Sequence, residues 1–251
     1  MVESDFCQVL DWDSQFFGYR IGRITTDHLT PELISAIFDW SQDHKIDCLY
    51  FLADCGDFPT INLAAKHAYH FVGVQLTMQI DLRQNTSLSL LPPENAMHIR
   101  FATRDDIPPL KRIAGISHPH TRFSNDPCLS KKGSRQLYET WIENSVLGYA
   151  HATLVYVLDQ QLVGYLTCHR PQGDSPARIG LFAVEQRHQG QQIGQALVIS
   201  ALDWFARQQI DKVSVVTQGH NLAAQRLYQR CGFLTHSIKF YYHKWFVDCR
   251  D

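Results

Sequence analysis

Val184-Glu185-Gln186-Arg187-His188-Gln189-Gly190-Gln191-Gln192-Ile193-Gly194 runs from an apolar strand end through a glycine- and glutamine-rich loop into the first turn of a helix. A helix start leaves its first backbone N–H groups without intrahelical acceptors, and the helix dipole adds partial positive charge there, so the stretch is suited to an anion. Upstream, Arg178 to Val184 reads as a strand. Downstream, a helix is predicted from about Ile193 to Gln208, with Ile193, Leu197, Ala201, Trp204 and Phe205 near one face. Val213 to Val216 is a short buried strand, Asn221 to Arg230 a helix closed by Gly232, and Ser237 to Phe246 an aromatic-rich final strand. Strand, loop, helix, strand, helix and strand define an α/β fold of the mixed α+β kind, with a phosphate-capable turn in its middle.

Working outward, Asn85 to Met97 breaks every periodicity and contains Pro92 and Pro93, so it reads as a linker between an N-terminal domain, 1–90, and a C-terminal domain, 98–251. Beyond it come a strand at His98 to Phe101, a helix entrance at Thr103 to Pro108, and a second helix through Tyr138 and Trp141 to Val146. Strands at Ala152 to Leu158 and Leu162 to His169 are separated by a turn at Asp159-Gln160-Gln161. A weak repeat also stands out: Asn62-Leu63-Ala64-Ala65 with Tyr69 and Gly73 recurs as Asn221-Leu222-Ala223-Ala224 with Tyr228 and Gly232. It suggests a duplicated half-fold, although the first copy has no glycine-rich loop and its Asn62 and Tyr69 read as scaffold.

A net charge of −2 and a sequence pI near 6.7 supply no excess of cations for a nucleic acid partner. No stretch is long and apolar enough to span a membrane and the start does not read as a signal peptide, so the expected compartment is the cytoplasm. Seven cysteines without a Cys-x-x-Cys pair read as reduced thiols. No metal site is expected: His118 and His120 flank Pro119, and His67 and His70 lack a third ligand.

At the loop and the second helix the sequence resembles the GNAT acetyltransferases. Their acetyl-CoA loop reads Gln/Arg-x-x-Gly-x-Gly/Ala, matched by Gln189-Gly190-Gln191-Gln192-Ile193-Gly194 with Gln192 in place of the first glycine. Their later motif, Asn-x-x-Ala-x-x-x-Tyr followed by Gly-Phe, is matched in full by Asn221, Ala224, Tyr228 and Gly232-Phe233. The resemblance spans roughly His98 to Trp245 and implies a GNAT fold preceded by a smaller, incomplete GNAT-like domain. It also implies acetyl-CoA as co-substrate, bound by Phe182, Ala183, Val184, the loop from Gln189 through Gln191, Gln192, Ile193 and Gly194 to Gln195, and Asn221, Ala224 and Tyr228. Amides around Ala183 and Val184 would face the thioester carbonyl, Tyr228 would protonate the departing thiolate, and Asn221 would bind near the thioester. A core tyrosine and a helix N-cap are the plain alternatives for the last two.

Asp13-Ser14-Gln15-Phe16-Phe17-Gly18, Arg122-Phe123, Trp141-Ile142-Glu143-Asn144 and Arg178-Ile179-Gly180-Leu181 further resemble the dTDP-fucosamine acetyltransferases. That branch implies a dTDP-linked amino sugar as acceptor and a homodimer, for which the run Phe240-Tyr241-Tyr242 would supply an edge strand. Arg122 and His120 are the residues expected to meet the acceptor, and His169, on the strand next to Arg178 to Val184, is the candidate general base on the substrate side, with a solvated arginine and a structural histidine as the alternatives. A protein, peptide or other small amine as acceptor, or a non-catalytic acyl-CoA-binding module, would use the same coenzyme motifs.

Overall fold

The computed structural model describes residues 6–84, 97–173 and 175–249. Most of the linker predicted at Asn85 to Met97 lies outside the described residues. The chain divides into two units by more than one cut: Met1–Gln75, His120–Ser134 and Ile238–Asp251 form the first, and Leu76–Pro119 with Arg135–Ser237 the second. Against the boundary read from the sequence, this assigns the chain from Leu76 onward to the second unit and returns two later segments to the first.

In the first unit, β1 (Cys7–Val9) pairs antiparallel with β2 (Ile21–Ile24), which runs parallel to β3 (Cys48–Asp54). Three helices belong to it: α1 (Asp11–Phe17), α2 (Pro31–Asp43) and α3 (Phe58–Lys66). Ile34, Ile37 and Trp40 of α2 pack on Leu49, Phe51 and Ala53 of β3 in one core. The strand β4 (His70–Asp81) belongs to this unit as far as Gln75, and the final strand, β10 (Leu234–Trp245), belongs to it from Ile238 and pairs antiparallel with β3 from Lys239 to Trp245. Phe240, Tyr241 and Tyr242 lie opposite Ala53, Leu52 and Phe51, with β4 on the other side of the strand. The edge strand expected at this run is therefore corrected: its ladder groups are taken up within the chain, which removes the feature offered for dimerisation.

The second unit holds β5 (Ile99–Phe101), α4 (Ile107–Ser117), α5 (Lys131–Asn144, from Arg135 onward), β6 (Ala152–Leu158), β7 (Gln161–His169), β8 (Ala177–Val184), α6 (Ile193–Arg207), β9 (Lys212–Gln218) and α7 (Leu222–Arg230). Its strand order is β9-β8-β7-β6-β5, with β8 and β9 parallel and the other pairs antiparallel. Leu154, Leu166 and Ile179 face a core with Leu197, Ala201 and Phe205 of α6, while Val155, Tyr165 and Ala183 face Leu110 and Ile113 of α4 and Ile142 of α5. A sheet covered on both faces explains why β7 is apolar almost throughout instead of alternating. The β6–β7 turn is one residue tighter than predicted: Asp159 and Gln160 both take positive φ, as a two-residue hairpin requires, and Gln161 starts the strand.

A duplication is present, in a different register from the one the sequence suggests. At one constant offset, α2 and α6 end together at Asp43 and Arg207, Lys45 and Gln209 both take positive φ, and β3, α3 and β4 match β9, α7 and β10 residue for residue. Leu33, Asp39-Trp40, Ile46-Asp47 and Leu63 are thereby equivalent to Leu197, Asp203-Trp204, Ile210-Asp211 and Leu227. The Asn-Leu-Ala-Ala register is corrected because Asn62 lies inside α3. The counterpart of Asn221 is Asp57, since both cap their helices, on Thr60 N–H at 3.1 Å and Ala224 N–H at 3.2 Å. The counterpart of Tyr228 is Ala64.

The reading of all seven cysteines as reduced is also corrected. Cys128 and Cys249, both in the first unit, form a disulfide. Their separation of 121 residues left no local spacing to betray it.

Candidate active site

The central feature of the second unit is a strand that loses one neighbour partway along. β8 pairs with β9 only from Ala177–Val213 to Ile179–Val215, whereas its pairing with β7 continues to Gly164–Val184. The register against β7 shifts between Leu166, opposite Phe182, and Cys168, opposite Ile179, so Gly180 and Leu181 together face Thr167 in a β-bulge. Thr167, fully buried, fixes the bulge by accepting the Leu181 N–H on its hydroxyl oxygen at 2.7 Å. Position 180 has no room for a side chain: a Cβ there would stand 2.5 Å from His169 Nε2 and 2.7 Å from Thr167 Oγ1.

Which amides the lost partner exposes follows from the ladder. Glu185 N–H donates to Val163 O at 2.8 Å, so by the alternation of antiparallel bonding Ala183 is also bonded to β7. The N–H groups of Phe182 and Val184 point the other way, toward the side where β9 no longer pairs. Of the two positions expected to aim amides there, Val184 does so and Ala183 does not, and Phe182 takes its place. Such donors, held before any reaction starts, are suited to an oxyanion on a carbonyl carbon.

The loop after β8 begins at Glu185, 5% exposed and gripped by Arg112 and Arg187 at 2.9 Å each. Gln189 turns back and donates through Nε2 to Val184 O at 3.1 Å. Gly190 and Gln192 then take φ values of 79° and 61°. Gln192 thus occupies a left-handed conformation that costs a non-glycine residue about 1 kcal/mol. It precedes α6 without a side-chain cap, and the first helical amide with a backbone acceptor is that of Ala196, on Gln192 O at 3.0 Å. The amides of Ile193, Gly194 and Gln195 are the orphan donors of a helix N-terminus. Gly194 permits the close packing: a Cβ there would lie 3.1 Å from the Phe182 ring and 3.2 Å from Leu227.

Tyr228 projects from α7 against Phe182 and Phe233, with ring centroids 6.2 and 5.6 Å away, and is 3% exposed. Burial pushes its phenol well above the usual tyrosine range, so it holds its proton at neutral pH. Phe182 touches both the helix start at Gly194 and Tyr228, so the unpaired part of β8, the open helix end and the phenol share one neighbourhood.

The Acetyltransferase (GNAT) family matches residues 120–233, the interval that contains this arrangement. The chain carries a GNAT acetyltransferase domain. It is 29% identical over 85% of its length to the spore coat polysaccharide biosynthesis protein SpsD of Bacillus subtilis (strain 168), covering 72% of that protein. It is 27% identical over 94% of its length to the dTDP-fucosamine acetyltransferase of Escherichia coli O6:H1, covering 96% of it. A GCN5-related N-acetyltransferase from Sphaerobacter thermophilus shares the fold at a TM-score of 0.66 and 16% identity, over 98% of this chain and 78% of that one.

Within this acetyltransferase, Phe182, Val184, Gln189, Gly190, Gln191, Gln192, Ile193, Gly194, Gln195, Asn221, Ala224 and Tyr228 all fall in the second unit on β8, the loop, α6 and α7. Asn221 uses its side-chain oxygen as the α7 cap, which leaves the NH2 group as the donor it can offer a ligand. His169 is 7% exposed beside Thr167, 3.4 Å from its hydroxyl, and in edge contact with Tyr149. Desolvation, then the charge of Arg178 and then His151, lower its pKa to about 4, so it is neutral at pH 7 but a weak proton acceptor. Arg122 and His120 belong to the first unit. His120 is exposed, and Arg122, instead of being a solvated loop residue, is half-buried over the rings of Tyr50 and Phe123. Among the described residues no cluster of three or more His, Cys, Asp or Glu could hold a metal ion, and no helix is long and apolar enough to cross a membrane. Thr167 and Glu185 carry no local sequence signal, because their parts depend on non-local pairing. Gly180 was visible in Arg178-Ile179-Gly180-Leu181, but not its packing reason.

Proposed function

We propose that the protein transfers the acetyl group of acetyl-CoA directly to the amino group of a dTDP-linked amino-deoxy sugar, with Tyr228 as general acid. The observation that carries the transfer chemistry is the unpaired end of β8 beside the open N-terminus of α6. The α6 amides from Ile193 to Gln195, with the Gln189–Gln192 loop, would take the coenzyme diphosphate. The amides of Phe182 and Val184 would take the thioester oxygen as charge develops on it.

The neutral amine nitrogen attacks the thioester carbon and forms the new C–N bond, and the electron pair of the C=O moves to oxygen. Collapse of that tetrahedral species restores the carbonyl and breaks the C–S bond, while the Tyr228 phenol gives its proton to the departing sulfur. The proton lost from nitrogen goes to solvent. Glu185 is tied up by two arginines and His169 is a weak acceptor, so neither is assigned the role of base.

The sugar-nucleotide acceptor is supported by the two relatives, one named for dTDP-fucosamine and the other for polysaccharide biosynthesis, which align with most of this chain. Acetyl-CoA as donor favours a cytoplasmic reaction. The test is mass spectrometry of products after incubation with acetyl-CoA and a panel of dTDP-linked amino sugars, peptides and polyamines. A mass gain of one acetyl group confined to the amino sugars is expected, and acetylation of only the peptides or polyamines would contradict the reading.

A further inference from the structure

Two sequence segments that the coenzyme site does not use, Asp13 to Gly18 and Arg122-Phe123, meet in the first unit: Phe17 stacks on Phe123 at 5.7 Å. Around them lies a group of polar residues that a hydrophobic core does not need. The Arg122 guanidinium carbon sits 4.3 Å from the Tyr50 ring centre and 4.1 Å from that of Phe123, and Nη1 donates to His243 Nε2 at 3.1 Å. His243 Nδ1 donates to Asp126 Oδ2 at 2.5 Å, and the same carboxylate accepts from Trp245 Nε1 at 2.9 Å and, on Oδ1, from Cys128 N–H at 2.8 Å. His243 and Asp126 are 0% and 2% exposed. Desolvation keeps this histidine neutral, and its acceptor nitrogen is turned toward the arginine. A buried Asp–His pair, itself held by Trp245 and the Cys128 amide, thus presents its remaining acceptor nitrogen to one half-buried arginine, whose Nε and Nη2 have no hydrogen-bond acceptor among the described residues.

A second observation points to a ligand. The hydroxyl of Tyr50, a residue 6% exposed, has no hydrogen-bond partner among the described residues, and it belongs to the ring on which Arg122 is stacked. A buried hydroxyl left unpaired opposes folding, so its retention beside a cation with unused donors indicates a bound acceptor group. Asp13 is near enough to feel Arg122 and Arg23, yet burial outweighs them and holds its carboxyl above the usual carboxylate range.

We propose that Arg122 and Tyr50 form a subsite in the first unit for the diphosphate of the acceptor, with Asp13 beside it to receive the ligand's hydroxyl or ammonium donors and His243 and Asp126 as positioning residues behind Arg122. The planar guanidinium offers phosphate oxygens two further N–H groups in fixed geometry, and the Tyr50 hydroxyl adds a third donor. The identity of the acceptor rests on the function proposed above, whereas the subsite itself is testable without turnover.

The experiment titrates dTDP into the full-length protein by calorimetry and compares wild type with Tyr50→Phe and Arg122→Lys. Tyr50→Phe removes only an unpaired hydroxyl, so its melting temperature should match or exceed that of wild type, while its Kd for dTDP rises about 10-fold or more. Arg122→Lys should weaken dTDP to a similar degree, with acetyl-CoA affinity unchanged in both. Asp126→Asn should raise KM for the acceptor and leave kcat unaltered; should that buried variant fail to fold, Tyr50→Phe decides. Equal dTDP binding by wild type and Tyr50→Phe, or no dTDP binding by wild type, overturns the subsite. Tyr50-dependent dTDP binding by a protein that acetylates no dTDP-linked sugar would leave the subsite standing and remove only the proposed reaction.

Discussion

The helix–strand–helix–strand run from α2 to β4 and the run from α6 to β10 match in the length of every element after the first helix, in the positive-φ position that follows that helix and in their Asp-Trp and Ile-Asp pairs, yet they differ at the start of the first helix. In the first copy, Thr30 caps α2 by accepting the Leu33 N–H at 3.2 Å, and Pro31 at the first helical position has no N–H to give. In the second copy Gln192 provides no side-chain cap, and the first-turn amides of α6 stay available. Further along, Ala64 fills the position that Tyr228 holds, fully buried in the first core. On the proposed mechanism, chemistry depends on a few positions laid over a repeated scaffold: the loop before one helix, one side chain on the next, and the end of β8 that β9 leaves unpaired. The shared positions maintain packing, as Ile37 and Ala201 do on the inward faces of their helices.

The sharpest way to break this contrast is at Tyr228. Tyr228→Phe should lower kcat by about 10²–10⁴-fold with acetyl-CoA affinity preserved, because a positioned acid contributes about that much; steady-state kinetics beside a binding titration separates the two. Acid should act on both units alike, since His118, His169 and His243 each have a pKa lowered to about 4 by burial. Unfolding lets each return toward about 6.5 and take up a proton between those values, so stability is full above about pH 6.5 and falls as pH drops toward 4. Urea denaturation at pH 5 should therefore give a lower unfolding free energy than at pH 7, by about 1–2 kcal/mol for each histidine.

Thr167→Val leaves the buried Leu181 N–H without its acceptor and should cost about 1–3 kcal/mol along with weaker acetyl-CoA binding, whereas Thr167→Ser should restore both. Thr30→Ala should cost about 1 kcal/mol in chemical denaturation and leave acetyl-CoA binding untouched, because that cap serves the closed copy. The smallest effect is expected for Gln192→Gly: relief of left-handed strain and the greater freedom of glycine in the unfolded chain oppose each other, for a net change below about 0.5 kcal/mol.

Local patterns made much of the second unit legible. The strand Ala152 to Leu158, the α6 start and the Asn221 cap are legible because strand alternation, helical spacing and capping chemistry are short-range signals. The features that are not legible depend on partners far apart in sequence. The β8 bulge needs Thr167 to meet Leu181, and the Arg122 cluster needs residues 50, 122, 126 and 243 to converge. Neither had a spacing to find. The register of the duplication is hidden for a different reason: the contiguous Asn-Leu-Ala-Ala string falls at different points of α3 and α7, while the true equivalence is carried by scattered Asp-Trp and Ile-Asp pairs.

Titration of acetyl-CoA into the full-length protein by calorimetry tests the inequality of the two copies most directly. One coenzyme per chain, bound equally well by wild type and Thr30→Ala, is the outcome this account predicts. A stoichiometry near two, with one of the bound molecules lost on altering the Thr30–Pro31 helix start, would contradict it.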